Sequence, residues 1–556
     1  MSEARSERRP FGPQANGVTT PEQANAVSLP RRLFENAGRA ARLGVGRFVL
    51  RRTPFVLRLR LASPVPELPP APFFGGGEPA LALLEALLVL ERAALDPAVA
   101  AILVRSEGPA GGLARSLSLR RGLAAAARQK PVLVWAESLS AEELLVASPA
   151  TRLVVPEAGS VHLVGLRYEG VFLHDLLDKL GVAPEVVRIG EFKTAGEMLT
   201  RSSLSPEQRT QLEALLDDQF TVLVDALAEG RRLPAARVRE LVDAGPFTAP
   251  AAREAGLVDD CRFPDEVPDL VRELAPALAG RDPLPTVDAR TYLALRAGDA
   301  GWAPLRGERP LIAYVVARGS IVRGRGRRGV ACDTYRRLFE QLEKDERIAA
   351  VVVRIDSPGG EVVASDLLWR AVRQLGREKP VVASLGDTAA SGGYYVAAAA
   401  HAILAEPGSV TGSIGVVGGK LDLSGLYERL GVGRDGVERG ARAGLYSESR
   451  GFTPDERKAV REGMHAAYER FVSRVAEGRS LAPERVHAVG GGRVWSGSAA
   501  LAQGLVDALG GPFEAIAEAK RRAGIAEDRR AALAFAPRPP RFGALRDWLR
   551  FVRADG

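Results

Sequence analysis

Along the chain, short unbroken apolar runs alternate with longer stretches in which apolar residues recur every three or four positions. The runs AAILVR, PVLVW and TRLVVP in the first half, and IAAVVVR, PVVASL and AILAEP in the second, read as β-strands. Ser365 to Gly376 and Pro454 to Glu477 carry the amphipathic period of helices that cover such strands. Strand and helix in alternation predict an α/β chain with mostly parallel sheets covered by helices.

The pattern occurs twice. Asp96 to Arg105 reads DPAVAAILVR and is followed by Pro109 and Gly111, while Asp345 to Arg354 reads DERIAAVVVR and is followed by Pro358 and Gly360. The shift of 249 positions that superposes Arg105 on Arg354 also superposes Lys130-Pro131-Val132 on Lys379-Pro380-Val381, and Gly159-Ser160-Val161 on Gly408-Ser409-Val410. AGLVDD at 255–260 is answered by QGLVDA at 503–508. A register shared over this length predicts a tandem duplication. The expected division is a basic N-terminal segment (1–52), a first α/β domain (53–281), a linker rich in Pro, Arg and Gly (282–308), a second α/β domain (309–525) and a basic amphipathic tail (526–556). Little order is expected in the first 30 residues or across 529–540.

Composition narrows the chemistry. With 556 residues, 46% hydrophobic and 26% charged, the chain is long enough for several folded units. Cys261 and Cys332 are its two cysteines, and His162, His174, His401, His465 and His487 are scattered, so neither a disulfide framework nor a metal-ligand spacing is encoded. No metal and no cofactor are expected. The net charge of +8 fits an arginine-rich composition. No basic run is interleaved with stacking aromatics, which argues against nucleic acid.

No run of about 18 apolar residues is present, and the N-terminus lacks the apolar core and cleavage site of a secretory signal, so the default compartment is the cytoplasm. Two basic stretches with apolar residues, Arg31 to Leu61 and the tail bearing Phe542, Leu545, Trp548, Leu549 and Phe551, fit either a membrane surface or packing on the body.

Three segments of the second half carry candidate chemistry. In IDSPGGEV (355–362), Gly359 and Gly360 can adopt positive φ and bare their N–H groups toward an oxyanion, although Ser-Pro-Gly-Gly is also an ordinary turn. In GDTAASGGYYVAAAA (386–400), Ser391 opens a helical stretch whose dipole favours negative charge, and Gly392 offers an N–H beside it; the plain alternative is that Ser391 caps the helix. In EPGSVTGSIGVVGG (406–419), Thr411 and Ser413 are hydroxyls able to orient a base or to serve their own backbone. A serine nucleophile needs a base, and no histidine has a suggestive context. Lysine remains: Lys193, in VVRIGEFKTAGEM of the first half, is flanked by Phe192 and small residues, and a buried amine gives up its proton more easily.

Together RIGEFKTAGE, RIDSPGG, DTAASGGYY and TGSIG, in this order within a duplicated chain, resemble the long, two-domain form of the signal peptide peptidase A (protease IV) family, a relative of the Clp protease and crotonase fold. The resemblance spans roughly residues 55–524. It implies a serine endopeptidase with a Ser/Lys dyad: Ser391 the nucleophile, Lys193 the general base from the other half, Gly359, Gly360 and Gly392 the oxyanion hole, and Ser413 orienting Lys193. It further implies released signal peptides as substrates, a homotetramer and association with a membrane. The repeat agrees with a split site, since the 249-residue shift places Glu142 opposite Ser391 and, within one residue, Arg442 or Ala443 opposite Lys193. Family members commonly carry an N-terminal membrane anchor, and this chain shows none. The rival readings are a crotonase-like acyl-CoA hydrolase or isomerase, which needs no Ser/Lys pair split between halves, and an inactive scaffold on a membrane.

Overall fold

The run IAAVVVRIDS forms a ten-residue strand, Ile348–Ser357, buried at every position but Ala349 and Asp356. Such two-sided burial is the mark of a central parallel strand with helices on both faces. In the computed structural model, which describes residues 54–69, 80–296, 310–526 and 531–537, this strand lies at the middle of the second of two large sheets.

The first sheet runs Thr286–Asp288, Phe55–Leu61, Val99–Ser106, Val132–Trp135, Arg152–Val155, Asp260–Cys261, and every pairing in it is parallel. The second runs Val494–Ser496, Val410–Gly412, Val381–Ala390, Ile348–Ser357, Leu311–Arg318, Ala532–Ala536, with Ala402–Ala405 and Ala508–Leu509 branching from Val381–Ala390. Its one antiparallel pairing joins Val410–Gly412 to Val494–Ser496. The expected α/β class with mostly parallel sheets is therefore what the chain forms.

The duplication is equally plain in the helices. Pro206–Arg231 and Pro454–Arg479 are both 26 residues long, begin with proline and follow a hydroxyl cap. Ser205 accepts from the Gln208 amide and Thr453 from the Glu456 amide, satisfying N–H groups that a helix leaves unpaired.

Two segments differ from expectation. Within 282–308, Thr286–Asp288 pairs with Val56–Arg58 and Ala289–Arg296 is a helix, so this part is built into the first half; residues 297–308 lie outside the described residues. The lack of order expected across 529–540 is corrected for 532–536, where ALAFA pairs with Leu311–Val315 and sets Phe535 edge-on to Tyr314, ring centroids 5.9 Å apart. An apolar stretch beside an open parallel edge gains both ladder bonds and burial there. Of the basic N-terminal stretch, Phe55–Leu61 is a core strand; 31–53 and the aromatic tail at 542–551 lie outside the described residues. Among the described residues, no helix is long and apolar enough to cross a membrane.

The halves are joined by apolar and ionic contacts. Leu84 of the first half packs into a cluster with Tyr314, Val316, Val352 and Ala519 of the second. Arg354, fully buried in the central strand, meets Glu67 of the first half at 3.0 Å and donates to Ser384 Oγ and the Leu385 carbonyl. A buried charge is tolerated only when paired and hydrogen-bonded, and here the pairing crosses the two halves.

Candidate active site

A third pairing brings the chemistry together. Ala183–Ile189 of the first half lies antiparallel to Val416–Asp422 of the second, with Ile189 opposite Val416. The chain beyond Ile189 therefore turns beside the chain before Val416, placing Lys193 next to Ser413. The turn is tight: the Thr194 amide donates to the Phe192 carbonyl at 2.9 Å, closing a three-residue ring around Lys193.

Lys193 is 5% exposed. Its Nζ lies 3.0 Å from Ser391 Oγ, 2.9 Å from Ser413 Oγ and 2.8 Å from the Ser413 carbonyl oxygen. Burial lowers its pKa from 10.5 to about 8, because the desolvated ammonium is disfavoured.

Ser391 stands between the strand Val381–Ala390 and the helix Gly392–Ala397, at φ 53° and ψ −119°. That strained conformation is fixed by its amide, which donates to the Gly412 carbonyl at 2.8 Å, and by its carbonyl, which accepts from Tyr395. Its side chain makes no capping bond to the helix, so the hydroxyl is left for Lys193. Ser413 is likewise at positive φ, 53°, with its amide donating to the Arg493 carbonyl; this presents both of its oxygens to Lys193. Thr411, the other candidate hydroxyl, donates to the Ala389 carbonyl and serves the sheet instead.

The glycines face one another beside Ser391. A β-carbon on Gly359, at φ 103°, would lie 2.6 Å from the Gly392 nitrogen and 2.8 Å from Ser391 Cβ. One on Gly392 would lie 2.4 Å from Ser365 Oγ and 3.2 Å from the Gly360 nitrogen. The Gly359 amide donates to Ser357 Oγ at 3.2 Å. The Gly359 amide thus has a partner within its own turn, and the Gly360 nitrogen lies against Gly392 beside Ser391.

The corresponding place in the first half is closed. Glu142, opposite Ser391 in the repeat, accepts from the amides of Gly111 and Gly112 at 3.2 and 3.3 Å. Arg442, opposite Lys193, is paired with Asp455 on the surface.

Several residues at the site were not singled out from the sequence. Gly492 packs on Lys193 so closely that a β-carbon there would lie 2.4 Å from the Lys193 nitrogen, and one on Gly190 would lie 2.6 Å from the Gly491 carbonyl carbon. The run Gly490-Gly491-Gly492 was the available signal. Arg115, 3% exposed, carries the first half beneath the site: its Nη2 lies 3.1 Å from Asp356 and 2.7 Å from Asp387, which precede the glycine turn and Ser391. Burial pushes the Asp387 carboxyl up, against the lowering effect of Arg115. Among the described residues, no group of His, Cys, Asp and Glu is arranged to hold a metal ion.

Comparison with known proteins agrees on the family. The chain is 33% identical to the chloroplastic serine protease SPPA of Arabidopsis thaliana over 81% of its own length and 67% of that protein. It is 30% identical to Protease 4 of Salmonella typhi over 70% of its own length and 63% of that protein, and 30% to Protease 4 of Haemophilus influenzae over 70% and 65%. The chain thus spans about two thirds of the length of these relatives. Among solved structures, it is similar to a membrane-bound stomatin-specific protease in complex with a substrate peptide, at 14% identity and TM-score 0.28, over 43% of this chain and 98% of that one. The profile of peptidase family S49 matches residues 124–277 and again 373–526. Carrying that domain once in each half, the chain belongs to peptidase family S49.

Proposed function

We propose that this chain is a serine endopeptidase that degrades short hydrophobic peptides, released signal peptides among them, through an acyl-enzyme. The observation that carries the reading is the 3.0 Å approach of the buried Lys193 Nζ to Ser391 Oγ across the contact between the two halves. A neutral amine has two hydrogens and one lone pair. With the hydrogens donated to the carbonyl and Oγ of Ser413, the lone pair is left for the Ser391 proton.

In the first step Ser391 Oγ bonds to the carbonyl carbon of the scissile peptide as its proton passes to Lys193. The carbonyl π electrons move to oxygen, and the amides of Gly360 and Gly392 hold the resulting oxyanion. Collapse breaks the C–N bond, and the lysine ammonium returns the proton to the leaving amine. Water then attacks the ester, giving its proton to Lys193, and the acid product leaves as Ser391 is reprotonated. Glycine at 359 and 392 leaves space for the substrate carbonyl.

A homotetramer and peripheral membrane contact belong to the same proposal. What supports assembly is the row of large apolar side chains left exposed on 164–180, including Val164, Val171, Leu176 and Leu180. A fluorophosphonate probe tests the chemistry: it is expected to modify Ser391, to leave Ser391→Ala unlabelled and to react far more slowly with Lys193→Ala. Modification of another residue, or normal labelling of the lysine variant, would overturn the assignment.

A further inference from the structure

Lysine is a long, flexible side chain, and a base held within 3.0 Å of its nucleophile needs its backbone fixed as well as its tip. Ser413 holds the tip. The backbone is held from the helix Pro206–Arg231, by a side chain whose hydrogen bonds go to the flanks of the turn and to the second half.

Gln211 is 4% exposed. Its Nε2 donates to the Phe192 carbonyl at 3.2 Å and to Thr194 Oγ1 at 2.9 Å, the residues on either side of Lys193. Its Oε1 accepts from the Val494 amide of the second half at 3.2 Å. The orientation of the amide follows from its partners, since a carbonyl can only accept and a backbone N–H can only donate. The neighbouring residues close the circuit. Arg493 accepts from the Ser413 amide, Gly492 donates to the Ile414 carbonyl, and Gly491 accepts from the Phe192 amide. One side-chain amide therefore ties the turn that bears the base to Val494 of the second half, next to Arg493, whose carbonyl holds the Ser413 amide.

We propose that Gln211 is a positioning residue that sets the reach of Lys193 toward Ser391. The proposal rests on the peptidase reading above. Losing the bridge frees the turn at both flanks of the lysine, while leaving the glycines at 359, 360 and 392 in place, since none of them bonds to Gln211. The effect therefore falls on kcat rather than on KM.

The test measures hydrolysis of a short hydrophobic peptide by the full chain, with active sites counted by fluorophosphonate titration and folding followed by thermal unfolding. Gln211→Leu is expected to lower kcat per titrated site by about 10- to 100-fold, with KM changed less than about threefold. Thr194→Val removes one of the same bonds with little change of shape, and is expected to show a smaller loss in the same direction. Should Gln211→Leu fail to fold, the kcat of Thr194→Val decides. Lys193→Ala serves as the control: if it keeps full activity the peptidase reading fails, whereas an inactive Lys193→Ala beside folded Gln211 and Thr194 variants with unchanged kcat overturns the role of Gln211 alone. A loss confined to the folded fraction, or to KM, also overturns it.

Discussion

Lys193 meets Ser413 twice, at Oγ (2.9 Å) and at the carbonyl oxygen (2.8 Å), and both contacts come from a residue held at φ 53°. The hydroxyl and the carbonyl therefore do different work: the carbonyl survives any substitution at 413, whereas the hydroxyl does not. Ser413→Ala is expected to reduce kcat by about 10- to 100-fold without abolishing it, because the amine loses one of the two partners that fix its position. Steady-state kinetics with titrated enzyme check this, and an unchanged kcat would remove Ser413 from the mechanism.

The pH dependence follows from burial. Lys193 must be neutral to accept the serine proton, and its pKa is lowered to about 8. Below that value the rate constant kcat/KM is expected to rise about tenfold per pH unit, and above it to level off. A profile still climbing steadily toward pH 10.5 would mean that the amine is solvated in the working enzyme.

Close backbone packing gives a steric prediction at the main chain of Lys193. Gly492 lies at φ 85°, and a β-carbon there would lie 2.4 to 2.6 Å from the Lys193 nitrogen, Cα and Cβ. Gly492→Ala must displace the turn that carries the base. Activity is expected to fall at least about tenfold while the separate cores of the two halves stay folded, as read by peptide hydrolysis beside thermal unfolding.

The ion pair between the halves predicts a stability effect. Glu67 and Arg354 are 1% and 0% exposed, and Glu67→Gln leaves the guanidinium buried without its counter-charge. The expected cost is about 3–5 kcal/mol, with the double variant Glu67→Gln/Arg354→Met recovering part of it. Denaturant unfolding of the single and double variants measures both, and additivity of the two changes would contradict a direct coupling.

Much of this architecture is legible in the chain because it is local or repeated. Apolar runs of strand length mark the sheet centres, the amphipathic period from Pro454 to Glu477 marks a long helix, and the 249-residue shift declares two copies. The fate of 532–536 was not legible, since a five-residue apolar stretch becomes a strand only when an unpaired edge is offered to it.

The sequence by itself determined which groups were available: a serine after a strand and before a helix, glycines able to take positive φ, a lysine in an apolar setting, and two copies of which neither holds both the serine and the lysine. The tertiary structure decided which of them meet. Lys193 and Ser391 stand 198 positions apart, and only the pairing of Ala183–Ile189 with Val416–Asp422 brings the amine to the hydroxyl. It also gave the Gly359 amide a partner in Ser357, set Gly360 against Gly392, and brought Gln211, far away along the chain from the second half, to the turn that bears Lys193. The reason is physical: strand and helix are set by a residue's near neighbours, whereas proximity across halves depends on how two separately encoded surfaces pack, which no local pattern records.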